Sequence, residues 1–145
     1  LNSISKTSLR KFKKVYTGIY KKFERRKKIK YLKPLIHVIN ICIYTNNIEL
    51  LSTFLVNELC KLRKQWTFIY IVSRIINEFF NFYKELKGLK FAIAGRINGR
   101  TRKVTYIRTF GSIPMQSISS NIKYSLDTSY NIYGAFSIKV WVHFI

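Results

Sequence analysis

An α+β fold is predicted for this chain, with two helices packed on a four-stranded, mainly antiparallel sheet and a helix and a strand ahead of them. Three observations predict it. Apolar residues recur at helical spacing between Ile48 and Leu86, the period falls to two after Gly88 and holds through four segments, and Asn98-Gly99 gives a strong hairpin signal between the first two of those segments. Helices followed by strands make the α+β order, and an antiparallel sheet with one apolar face needs that face covered by the helices.

The elements follow in chain order. Leu9, Phe12, Tyr16, Ile19 and Phe23 repeat at steps of three and four, while Lys11, Lys13, Lys14, Lys21, Lys22, Arg25 and Arg26 fall mostly off that stripe, so a basic amphipathic helix is expected. A helix lying on a membrane surface has the same profile. A stripe needing burial beside a flank needing phosphates also fits a helix docked between protein and RNA, and that reading is preferred. Pro34 is expected to stop this helix. Leu35 to Tyr44 (LIHVINICIY) is a β-branched run ended by Thr45-Asn46-Asn47 and is read as a strand.

From Ile48 onward Leu51, Leu55, Leu59, Leu62, Trp66, Ile69, Ile76, Phe80 and Tyr83 keep one face apolar, and the aromatics among them are read as core. One helix of that length would be unusual in a small domain, so a turn within Arg63 to Thr67 is expected to divide it. In the strands, Leu89, Phe91, Ile93 and Ile97 alternate with Lys90, Ala92, Ala94 and Arg96. Val104 and Tyr106 alternate with Lys103, Thr105 and Ile107, and Ile122, Tyr124 and Leu126 alternate with Lys123 and Ser125. Phe136, Ile138, Val140, Val142 and Phe144 alternate with Ser137, Lys139, Trp141 and His143. The apolar member of each alternation is assigned to the helix-covered face. No internal repeat is evident.

Composition narrows the function. The chain's 145 residues make one domain or one and a half, which excludes an elaborate multidomain enzyme. Lys and Arg number 27 against 6 acids, for a net charge of +21, and such self-repulsion calls for a polyanion, either nucleic acid or an anionic membrane. Disorder is excluded by a 48% hydrophobic and 16% aromatic content. Residues 1–34 hold 13 basic side chains and the single acid Glu24, so the charge is concentrated there. Phe, Ile, Asn, Lys and Tyr supply 70 of the residues and Ala only 3, a bias toward AT-rich codons that points to an organelle genome.

Other chemistries fail on inventory. Cys42 and Cys60 show no CxxC, and with only His37 and His143 beside them no metal site is expected; they are read as buried thiols. The longest uncharged stretch, Leu35 to Ile48, is too short to span a bilayer, so no membrane insertion is expected. No presequence is read, and a start at Leu1 in place of Met is taken as an upstream loss or an unusual start. Six scattered carboxylates offer no acid/base pair, the histidines have no nucleophile motif near them, and Gly95-x-x-x-Gly99 lacks the Lys-Ser/Thr of a phosphate loop. An enzyme is not expected, nor a cofactor.

The informative cluster is Gly95-Arg96-Ile97-Asn98-Gly99-Arg100-Thr101-Arg102-Lys103, with Arg108 on the returning strand. Four of these nine residues are cationic and none is acidic, on a tight turn where backbone can approach a phosphate and Arg can chelate it. A solvated hairpin that protects a sheet edge would be the plainer explanation.

GLKFAIAGRINGR, the turn Gly111-Ser112-Ile113-Pro114, then Ile122-Lys123-Tyr124, Tyr133-Gly134 and Lys139-Val140-Trp141-Val142 resemble, in order, the C-terminal region of the small-subunit ribosomal protein S3 family, in an organellar version. Upstream, VINICIYTNNIELLSTFLVNEL resembles the family's passage from its KH domain into the C-terminal domain. The resemblance implies a partial type II KH remnant over 1–44 and a C-terminal α+β domain over 45–145. The GxxG loop with which a KH domain grips single-stranded RNA is absent. The family's row of basic residues facing incoming mRNA falls by similarity at 64–74, where only Lys64 and Arg74 remain, with Arg63 beside them; mRNA unwinding is not expected to be retained.

The resemblance implies a structural constituent of an organellar small ribosomal subunit, in its head near the site of mRNA entrance, with small-subunit rRNA and neighbouring ribosomal proteins as partners and mRNA as a further one. The mitochondrion is preferred and a plastid is the alternative. The expected rRNA contacts are Arg96, Arg100, Arg102 and Arg108, then Lys103, Lys123 and Lys139, with Lys13, Lys14, Lys21, Arg25 and Arg26 from the first helix. A free-standing packaging protein of an organelle nucleoid is the competing reading.

Overall fold

A computed structural model describes residues 17–18, 31–83 and 86–145. The expected basic helix therefore lies outside the described residues, apart from Thr17 and Gly18, which are helical. The first described element, α1 (Leu32–Thr45), corrects two expectations. The β-branched run from Leu35 to Tyr44 is helix and not strand, and Pro34 sits in the first turn of that helix, where the missing N–H forfeits no bond. Burial decides it: Leu32, Leu35, Ile36, Ile39 and Cys42 recur at three- and four-residue steps and enter the core, which outweighs the β preference of Ile and Val. Asn40, buried on the same face, donates to the Ile36 carbonyl at 2.8 Å and accepts from the Tyr83 hydroxyl at 2.8 Å. Left-handed Asn46 closes α1, and the Asn47 side chain accepts the backbone N–H of Glu49 at 3.0 Å as the next helix opens.

Helices α2 (Glu49–Lys61) and α3 (Gln65–Phe82) are divided at Leu62–Lys64, inside the expected break. The sheet comprises β1 (Leu86–Gly95), β2 (Val104–Gly111), β3 (Ile122–Asn131) and β4 (Gly134–Phe144), in spatial order β2-β1-β4-β3 with every neighbouring pair antiparallel. One face is apolar along the two central strands, through Leu89, Phe91 and Ile93 of β1 and Phe136, Ile138, Val140 and Val142 of β4. These join residues of all three helices in one core. Helix α2 packs on β3 and β4, and α3 on β1, β2 and the loop between them. The fold class is the α+β expected, although a helix replaces the leading strand.

Two assignments within the strands change. Ile97 is not on a strand; it is fully buried in a short turn, Ile97–Gly99. On β3 the alternation is present but its faces are exchanged. Register pairs Ser125 with inward-facing Val140 and Tyr124 with outward-facing Trp141, so the apolar set of β3 points away from the helices. Its inward set is polar and meets polar residues of α2. The Ser52 and Ser125 hydroxyls lie 2.7 Å apart, and Asp127 accepts from Ser52 at 2.6 Å and Thr53 at 3.0 Å. Farther along, Cys60 is hydrogen-bonded to Ser129.

Candidate nucleic-acid interface

The segment joining β1 to β2 is longer than a two-residue hairpin turn, but Asn98-Gly99 keeps its tight geometry inside it. Asn98 and Gly99 both have positive φ, 55° and 70°, and the Arg100 N–H reaches the Ile97 carbonyl. A Cβ at Gly99 would lie 3.1 Å from the Tyr133 ring, so glycine here lets the loop approach the β3–β4 turn. Arg96 donates through Nε to the Arg100 carbonyl at 2.8 Å and braces the loop across its width.

What fixes this loop to the domain is a reciprocal pair. Asn98 Oδ1 accepts the backbone N–H of Gln65 at 2.8 Å, and Gln65 Oε1 accepts the backbone N–H of Asn98 at 2.8 Å. Gln65 is only 1% exposed, and its Nε2 donates to the Leu59 carbonyl at 3.2 Å. One buried amide thus ties the end of α2, the start of α3 and the basic loop together. As a result, exposed Arg63 and Lys64, in the α2–α3 turn, lie beside the loop that carries Arg96, Arg100, Arg102 and Lys103, all exposed.

An arginine–aromatic strip continues from there along α3 and β2. The Arg100 guanidinium lies 5.6 Å from the Trp66 ring centroid, Trp66 meets Tyr106 edge-on at 5.9 Å, Arg108 lies 5.5 Å over Tyr106, and Arg74 lies 5.2 Å over Tyr70. Trp66, Tyr70 and Arg74 follow one another at steps of four and share a face of α3. Arg108 also donates from Nε to the Tyr106 hydroxyl at 2.7 Å, a bond that raises its pKa further and fixes the direction of the guanidinium. Each stacked arginine keeps in-plane N–H groups for a phosphate or a base edge while its position is held by a ring. No carboxylate occurs between residues 59 and 77 or between 86 and 126, so nothing in those segments neutralises the surface from within.

The sequence-predicted residues separate into groups. Arg96, Arg100, Arg102, Lys103 and Arg108 stand together and are joined by Arg63, Lys64 and Arg74. Lys139 is exposed on the helix-free face of the sheet, opposite Ala92 and Leu126. Lys123 is on β3, at the other edge of the sheet, where its Nζ donates to the Asn46 carbonyl at 2.7 Å and holds the α1–α2 turn. Lys13, Lys14, Lys21, Arg25 and Arg26 lie outside the described residues. Reading the sequence missed Gln65, Asn98 and the aromatic partners. The four-residue spacing of Trp66, Tyr70 and Arg74 was a usable signal, whereas the Gln65–Asn98 pair joins residues 33 apart and had none.

Among the described residues no group of His, Cys, Asp and Glu could hold a metal ion, and no helix is long and apolar enough to cross a membrane. Cys42 and Cys60 are free, the first buried and the second half-buried.

Comparison with known proteins agrees with this architecture. Residues 60–142 match the family described as ribosomal protein S3, C-terminal domain. The small ribosomal subunit protein uS3c of Chlamydomonas moewusii is 39% identical over 59 residues, 40% of this chain and 7% of that protein. The uS3c of Angiopteris evecta is 41% identical over 59 residues, 40% of this chain and 27% of that protein. The uS3 of the cyanobacterium Trichodesmium erythraeum is 37% identical over 57 residues, 39% of this chain and 24% of that protein. The chain thus matches about a quarter or less of the length of these curated relatives. With the helix pair, the four-stranded sheet and the basic loop all inside the matched range, the chain belongs to the ribosomal protein S3 family through that family's C-terminal domain.

Proposed function

We propose that the chain is a structural constituent of a small ribosomal subunit, held against ribosomal RNA by the end of the domain where the α2–α3 turn meets the β1–β2 loop. The observation that carries this reading is the buried Gln65–Asn98 pair, which gathers Arg63, Lys64, Arg96, Arg100, Arg102 and Lys103 on a carboxylate-free surface of a ribosomal-protein domain. The mechanism is electrostatic. Arginines and lysines neutralise phosphates and release counterions, while the helix-backed sheet and the aromatic rings hold them in register. Residues 1–34 extend the same surface, residues 1–44 derive from the segment that precedes the C-terminal domain in the family, and neighbouring small-subunit proteins complete the surroundings. Arg63, Lys64 and Arg74 are the cations through which mRNA would be met.

The compartment follows from coding bias and charge. The AT-rich codon usage and the thinned basic row at 64–74 favour a mitochondrion; the uS3c names of several relatives favour a plastid as the second reading. Sedimentation of organelle lysates tests function and compartment together. The chain should travel with the small subunit of one organelle and leave it in high salt, and replacing Arg96, Arg100, Arg102 and Arg108 by alanine should prevent incorporation. A soluble pool bound to duplex DNA would support the nucleoid reading, and normal incorporation of the four-arginine variant would remove the loop from the interface.

A further inference from the structure

The face of the sheet turned away from the helices has a chemistry unlike that of the arginine-bearing end. Ile107, Ala92, Lys139 and Leu126 form one row across the four strands, and Lys90, Trp141 and Tyr124 lie in the next. Ile107 is 54% exposed, Leu126 48% and Tyr124 51%, and Tyr130 farther along β3 is 83% exposed. Lys90 Nζ stands 5.0 Å from the Trp141 ring centroid, and Tyr124 packs on the same ring at 5.3 Å. No carboxylate points to this face, and none of the arginines on the described strands does.

The exposure of these side chains is built into β3. A shift of one residue in its pairing would bury Tyr124, Leu126 and Tyr130 against the helices. The chain instead turns Ser125, Asp127 and Ser129 inward and provides Ser52, Thr53 and Cys60 on α2 to satisfy them. A contiguous apolar surface kept outward in this way marks an interface. Aliphatic Ile107 and Leu126 can neither stack on a base nor bind a phosphate, and Lys90 already occupies the Trp141 ring, whereas every arginine–aromatic stack of the described residues is at the other surface. RNA-facing and apolar surfaces are therefore segregated.

We propose that this sheet face docks a neighbouring protein, one that presents an apolar centre with carboxylates set to meet Lys90 and Lys139. Ala92 gives such a partner close access to the backbone between Ile107 and Lys139, and two desolvated lysines select an acidic rim over a basic one. The proposal rests on the ribosomal reading, since it takes the neighbour from the same particle.

The test introduces the photocrosslinking amino acid p-benzoylphenylalanine in place of Ile107 or of Leu126 in the full chain, with the subunits purified by sedimentation before irradiation. A chain that does not sediment with subunits refutes the ribosomal reading and leaves the crosslink unused. In chains that do, an adduct resistant to ribonuclease and destroyed by protease is expected. An adduct with RNA, or none at either position, overturns the docking surface. A second variant, Ile107→Ser with Leu126→Ser, preserves charge and lies on exposed positions, so its unfolding temperature should stay near that of the parent. Its occupancy in subunits should fall about tenfold, the effect of losing one anchoring contact, while its affinity for isolated rRNA stays within about twofold. Unchanged occupancy, or an equal loss of rRNA affinity, contradicts it.

Discussion

Replacing Gln65 by alanine should break the basic surface into two parts without removing a charge. The substitution takes away the acceptor of the Asn98 N–H and the donor to the Leu59 carbonyl, and each buried group left unpaired costs about 1–3 kcal/mol. The expected outcome is a lowered thermal unfolding midpoint together with weaker rRNA binding by a chain that is still folded; unchanged RNA affinity would mean that the loop holds its geometry unaided. Cys42 gives an independent check on the core. Burial pushes its thiol from the ordinary 9.0 up to about 11, so between those values the unfolded chain binds fewer protons than the folded one. Its contribution to stability is complete below about pH 9 and is lost as pH rises toward 11. Urea midpoints of the parent chain and of Cys42→Ala should therefore converge over that range, and a constant difference would contradict the burial.

At the scale of elements, Asp127 identifies what holds β3 against α2. Asp127→Ala deprives Ser52 and Thr53 of their acceptor, and loss of these bonds should lower stability by about 1–3 kcal/mol, read from urea unfolding, with rRNA affinity undiminished because the residue is on the strand farthest from the arginine loop. The same strand shows where sequence reading stops. Period two announced β3 and set its alternation, but not which face the helices would cover, because that depends on Ser52, Thr53 and Cys60 of α2 being opposite it. Leu35 to Tyr44 failed for a related reason: Ile and Val favour strands locally, and only the core that receives Leu35, Ile36 and Ile39 makes the segment a helix. By contrast, the break between α2 and α3, the four strands and the tight Asn98-Gly99 turn were legible, since each follows from local chain chemistry. The arginines of the loop were legible too. Their company with Arg63, Lys64 and Arg74 was not, because it passes through the long-range Gln65–Asn98 bond.

Across the whole molecule, a charge of +21 is tolerable where phosphates surround it, and the described cations are not spread evenly to meet them. Eight gather around the α2–α3 turn, the β1–β2 loop and the adjoining faces of α3 and β2, while the open sheet face keeps only Lys90 and Lys139 among aliphatic and aromatic side chains. One domain thereby separates an RNA-facing end from a protein-facing sheet. If each of the eight neutralises one phosphate, they alone give a slope of about −6 to −7 in log affinity against log salt, and residues 1–34 steepen it. The most direct measurement is that slope for small-subunit rRNA, compared between the parent chain and the variant with alanine at Arg96, Arg100, Arg102 and Arg108. A slope shallower by about 3 is predicted, with both chains equally folded; an identical slope in the two would show that the loop does not touch RNA and would contradict the account.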